Sequence, residues 1–130
     1  MSAPEWHVVD SSAWLAYFAD DDNAKHFAKP IEAIDRLLVP SITLTEIFKT
    51  VLRQRGEDSA ITAVAHMQQG RVIPLDDRLA VDAAVFGVEH KLPLADSIIY
   101  ATARRHRAIV WTQDADFQDL EDVMFYPRHR

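Results

Sequence analysis

Four acidic residues stand where a folded chain can collect them. Asp10 directly follows the apolar run His7-Val8-Val9, and Glu46 lies in an amphipathic segment after Leu37-Leu38-Val39. Asp96 follows Leu92-Pro93-Leu94-Ala95, and Asp114 follows Ile109-Val110-Trp111 by way of Thr112 and Gln113. Converging carboxylates repel and raise one another's pKa, so the cluster is costly unless a cation neutralises it. The chain has no cysteine and no HExxH-type histidine pair, which excludes thiolate sites and disfavours zinc. An all-oxygen donor set suits a hard divalent ion, Mg2+ or Mn2+. Such an ion polarises water and phosphate oxygens, so the chemistry expected is in-line hydrolysis of a phosphodiester.

Each acid also has a purely structural reading. Asp10, with Ser11 and Ser12, suits a helix N-cap, and Glu46 completes a Thr43-x-x-Glu46 capping box. Asp96 near a helix start is favoured by the macrodipole, and Asp114 and Asp116 suit a turn. The functional reading rests on all four falling at one edge of a sheet, beyond the carboxyl ends of parallel strands, where ligands bind in such folds.

The elements that would carry them alternate. Short apolar strands are expected at His7 to Val9, Leu37 to Val39, Arg71 to Leu75 and Ala108 to Trp111. Helices are expected from Ala13 to Phe18, over Ala24 to Arg36 with Pro30 starting or bending one, and from Thr43 to a stop at Gly56. Further helices are expected from Asp58 to Gln69, from an Asp76-Asp77 cap through Phe86, and from Leu94 to His106. The loop Asp20 to Asn23 reads as polar with a cap, and Phe125 to Arg130 as a partly disordered tail. Strands apolar throughout, alternating with helices, imply an α/β fold: a three-layer α/β/α sandwich around a mainly parallel sheet.

At 130 residues and 48% hydrophobic content the chain suits one core, and a single domain over residues 1–130 is expected. Met1 to His7 lacks a basic run followed by an apolar stretch, and no apolar segment approaches a membrane span, so a cytoplasmic protein is the expectation. The net charge of -6 argues against binding nucleic acid through bulk electrostatics, although acids gathered around a metal account for part of it.

Four segments together resemble PIN-domain proteins, in particular VapC-type toxins of prokaryotic toxin-antitoxin pairs. They are Val8-Val9-Asp10-Ser11-Ser12-Ala13, Pro40-Ser41 to Thr45-Glu46, Leu92-Pro93-Leu94-Ala95-Asp96-Ser97 continuing to Ala103, and Val110-Trp111-Thr112-Gln113-Asp114-Ala115-Asp116-Phe117. The Leu-Pro-Leu-Ala-Asp-Ser and Thr-x-Asp-x-Asp-Phe runs are the most specific, and the likeness spans about Val8 to Leu120. The resemblance implies a Mg2+- or Mn2+-dependent endoribonuclease, a homodimer, and inhibition by a small cognate antitoxin. It makes Asp10, Glu46, Asp96 and Asp114 the catalytic and metal-binding quartet, Asp116 an optional fifth acid, and Ser12 and Thr112 polar helpers.

Rival readings are distinguishable. A response receiver wants paired acids after its first strand and a late lysine, and an aspartyl-phosphate phosphatase wants Asp-x-Asp there; neither pattern is present. A PIN-like module that binds RNA or protein without cutting stays open as the alternative. Arg104, Arg105 and Arg107, or Lys49, Arg53 and Arg55, could meet phosphates or simply face solvent. The histidines, His106 and His129 among them, read as surface residues. Trp14, Tyr17, Phe18 and Phe48 are core candidates that would mark an antitoxin or dimer surface if exposed.

Overall fold

The computed structural model describes residues 5–128. Five strands form one all-parallel sheet: β1 (His7–Val9), β2 (Leu37–Pro40), β3 (Arg71–Ile73), β4 (Ile109–Thr112) and β5 (Val123–Phe125). Their spatial order is β3-β2-β1-β4-β5. Register pairs His7 with both Leu37 and Ile109, and Thr112 with Phe125. The order reverses direction between β1 and β4, which is where an open parallel sheet leaves a crevice beyond its strand ends.

Parallel neighbours need crossover connections, and six helices supply most of them. They are α1 (Ser11–Phe18), α2 (Ala24–Glu32), α3 (Ser41–Arg55), α4 (Glu57–Met67), α5 (Asp77–His90) and α6 (Leu94–Arg105). Successive strand residues face opposite sides. Val9, Val39 and Trp111 join Trp14, Ile47 and Met67 in a core under α1 to α4, while Val8, Leu38 and Val110 join Ile99, Tyr100 and Ala103 beneath α6. A smaller cluster, Leu79, Ala83, Ile98 and Ala101, packs α5 onto α6. The three-layer α/β/α expectation holds. Among the described residues no helix is long and apolar enough to cross a membrane.

Several local expectations change. The stretch from Ala24 to Arg36 divides: α2 carries Pro30 in its last turn and ends at Glu32, and a 3-10 turn covers Ile34–Arg36. Proline lacks the N–H that would continue the helical ladder. No capping box forms between Thr43 and Glu46, because α3 already begins at Ser41 and the Thr43 hydroxyl donates backward to the Pro40 carbonyl at 2.7 Å. Strand β3 stops at Ile73 rather than Leu75, and α5 runs on to His90. The left-handed φ of 91° at Gly56 separates α3 from α4.

Of the tail expected from Phe125 to Arg130, Phe125 is the last residue of β5 and Tyr126 packs on the core; the last two residues, His129 included, lie outside the described range. Of the four aromatic core candidates, Trp14 is fully buried, whereas Tyr17, Phe18 and Phe48 are half-buried at the core margin.

Candidate active site

Asp10 is the first residue beyond β1 and the N-cap of α1, so its structural and functional readings coincide. Its backbone N–H donates to the Trp111 carbonyl at 3.1 Å, stitching the end of β1 to β4. Its carboxylate accepts from the Ala13 N–H at 3.0 Å and from the Ser12 hydroxyl at 2.8 and 3.0 Å. With 1% exposure, burial pushes the Asp10 pKa up to about 7. Hydrogen bonds from Ser12, Ala13 and Thr112 pull it the other way, and the Asp114 charge adds to the rise.

Asp114 follows β4 and caps the 3-10 turn Ala115–Phe117, accepting from the Asp116 N–H at 2.9 Å. The Asp114 N–H itself donates to the Thr112 hydroxyl at 2.9 Å. Thr112 therefore braces both Asp10 and Asp114. Glu46, in the second turn of α3, accepts a 2.5 Å hydrogen bond from the Ser11 hydroxyl.

Asp96, in the first turn of α6, is where these charges meet. Its pKa is pushed up to about 8, first by burial and then by Asp114, Asp10, Asp116 and Glu46. Carboxylate oxygens of Asp96, Asp114 and Asp116 can lie within 4.8 Å of one another. Asp10 stands buried behind this trio, and Glu46 contributes field to Asp96 rather than a member of the compact group. Among the described residues none of the five acids has a lysine, arginine or histidine within ion-pair distance.

The donor set fits a hard divalent cation. The ligands the acids offer are carboxylate oxygens, three are already close enough to share one ion, and burial followed by the neighbouring acids raises the pKa of Asp96 among them.

Sequence reasoning missed Ser11 and Gln113. Ser11 braces Glu46, and Gln113 bonds to Ser12 through its N–H and its carboxamide, both at 3.4 Å. Each neighbours an acid or its brace in sequence, but their partners come from distant elements. Two of the three arginines after Asp96 are spent elsewhere: Arg104 pairs with Glu121 and Asp122, and Arg105 with Asp76. They sit at the far end of α6 from Asp96, roughly 14 Å away at 1.5 Å per residue.

A PIN domain family model matches residues 7–123. Solved structures of similar fold include a toxin-antitoxin complex from Klebsiella pneumoniae, 24% identical with a TM-score of 0.76, covering 93% of this chain and 98% of that one. Mycobacterium tuberculosis VapC20, described as a sarcin-ricin loop cleaving toxin, is 20% identical with a TM-score of 0.75 over 90% of this chain and 96% of its own. DNA-bound VapBC from Salmonella typhimurium is 14% identical, with a TM-score of 0.73 and coverage of 95% and 98%. At these identities the likeness is one of fold. No curated protein sequence matches the chain at a significant level. Matched along nearly its whole length and folded as a five-stranded parallel sheet with its acids at the strand ends, the chain belongs to the PIN domain family.

Proposed function

We propose that this chain is a Mg2+- or Mn2+-dependent endoribonuclease, a single nuclease domain acting as the toxin of a type II toxin-antitoxin pair. The observation that carries the proposal is Asp96, half-buried and surrounded by Asp10, Glu46, Asp114 and Asp116 with, among the described residues, no basic group in ion-pair reach. A surface built only for stability would not gather five acids at a sheet crevice. Membership of the PIN domain family supports a nuclease, and structural likeness to toxins, one described as a sarcin-ricin loop cleaving toxin, supports the toxin role.

In this function Asp96, Asp114 and Asp116 would hold the ion, with Asp10 and Glu46 completing the negative field. When bound, the ion supplies neutralising charge for the scissile phosphate and its attacking water. The protein's own contribution is orientation. Ser12, Thr112 and the Ala13 N–H fix the Asp10 carboxylate, and Ser11 fixes Glu46, so neither side chain turns away from the site. A bound cation would favour the ionised forms of Asp10 and Asp96. The proposal includes a small cognate antitoxin as inhibitor, a homodimer, and RNA of the cytoplasm as substrate.

Cleavage of total prokaryotic RNA by purified protein, with Mg2+, with Mn2+ and with chelator, tests it against the Asp96→Asn variant. Discrete metal-dependent fragments that vanish in the variant support the nuclease. Intact RNA from a folded protein under every condition would favour a module that binds without cutting.

A further inference from the structure

Asn23 precedes α2, where an asparagine ordinarily caps a helix, yet its side chain makes no cap hydrogen bond. The buried carboxamide instead donates to the Tyr126 carbonyl at 3.3 Å, the Pro127 carbonyl at 3.0 Å and Gln113 Oε1 at 3.2 Å. Tyr126 is held further by stacking on His26, with ring centroids 4.1 Å apart and 8° from parallel, and by its N–H to the Thr112 carbonyl at 2.9 Å. The chain path is thus fixed as far as Pro127. The next residue, Arg128, is delivered to the wall of an open cavity of about 620 Å³.

Ser12, Gln113 and the loop Asp20 to Asp22 line the same cavity. Ser12 joins it to the acidic site through its hydrogen bonds to Asp10. Among the described residues Arg128 is the one lysine or arginine on this wall, and it is in no ion pair. A polyanion crossing the acidic site meets repulsion from Asp20 to Asp22 and attraction at Arg128, so a phosphate has one favourable place to rest. An arginine fork suits a phosphate, and the volume lies in the range of small-ligand sites.

Resting on the ribonuclease reading above, we infer that Arg128, positioned by the Asn23 clamp, contacts an RNA phosphate flanking the scissile one, and that the cavity beside Ser12 receives the adjoining nucleotide. Arg128 is a binding residue in this account and Asn23 a positioning residue.

The test is fluorescence anisotropy of a short, labelled, mixed-sequence single-stranded RNA, titrated across a salt series with protein in the Asp96→Asn background, so that binding is read apart from cleavage. Adding Arg128→Ala should weaken binding roughly fivefold to tenfold near physiological salt. It should also reduce the slope of log affinity against log salt by about 0.7. Arg128→Lys should keep the slope, and Asn23→Ala should reproduce the Arg128→Ala loss although it removes no charge. Because Arg128 is exposed, its variants leave the fold intact even if Asn23→Ala does not. Unchanged affinity and slope in Arg128→Ala would overturn the inference, as would a parent that binds no RNA. Cleavage of total RNA by the unsubstituted protein, run alongside, separates the failures: its absence counts against the nuclease, whereas its presence with unaltered Arg128→Ala binding counts against this inference alone.

Discussion

The Ser11 hydroxyl reaches Glu46 Oε1 across 35 positions of sequence, joining the first turn of α1 to the second turn of α3 at 2.5 Å. Glu46 is otherwise a flexible side chain with freedom to swing into solvent. A brace of this kind ordinarily contributes tenfold to a hundredfold in metal affinity. Ser11→Ala is therefore expected to weaken Mn2+ binding about tenfold, read by isothermal titration calorimetry, while thermal stability stays near that of the parent. Equal affinity in the two proteins would show that Glu46 needs no orientation.

Asp96→Asn should separate stability from activity. The substitution keeps the shape of the side chain and removes the charge on which four other acids act. Discounted for the water that reaches half-buried Asp96, the relieved repulsion is on the order of 1 kcal/mol. The metal-free variant should melt about 3–5 °C higher than the parent at pH 8. Cleavage should fall by about a hundredfold or more, and added Mn2+ should no longer raise the melting point. A variant that melts lower without metal would mean that Asp96 is held by favourable contacts instead.

The same two acids fix a pH dependence. Asp10 and Asp96 have folded-state pKa values of about 7 and about 8, above the ordinary value of 3.8. Between the ordinary and the raised values the folded chain binds more protons than the unfolded chain, so stability falls as pH rises. As far as these groups decide, metal-free protein should be most stable below about pH 4, where both states are protonated, and should lose stability progressively from there up to pH 8. Saturating Mn2+ should flatten or reverse the trend. Melting curves at several pH values, with chelator and with Mn2+, check both halves.

Gly70 offers a test of the sheet rather than of the site. A Cβ built there would lie 3.0 Å from the Leu37 side chain, the Leu37 carbonyl oxygen and the Val39 side chain. The carbonyl belongs to β2 and cannot move aside without disturbing the ladder. Gly70→Ala should cost about 1–3 kcal/mol in urea denaturation, with RNA cleavage per folded molecule unchanged.

Strands that are apolar on both faces are visible in a sequence because helices cover both sides, which is why β1, β2 and β4 could be read directly. β5 was not foreseen: it lies at the sheet edge, Met124 is exposed, and its apolar run Val123-Met124-Phe125 is only three residues long and directly follows charged Glu121 and Asp122. The alternation of elements also implied that Asp10, Asp96 and Asp114 would face one edge. What spacing could not convey was rank. Burial sets Asp10 behind the others, and the turn at Ala115–Phe117 brings Asp116 in with Asp96 and Asp114. Asn23 misled for a related reason. Its type and position suit a cap, and only the tertiary path of the tail shows where its donors go.

The pairing of β1 with β4 has a consequence in time. His7 lies opposite Ile109, so the acidic edge closes only after nearly the whole chain has been made and β4 has settled beside β1. A nascent chain already bearing Asp10, Glu46 and Asp96 still lacks Asp114, Asp116 and the strand that aligns them. If the site cuts RNA as proposed above, the growing chain holds no assembled site until β4 has emerged, and cleavage can begin only once Asp114 and Asp116 are in place.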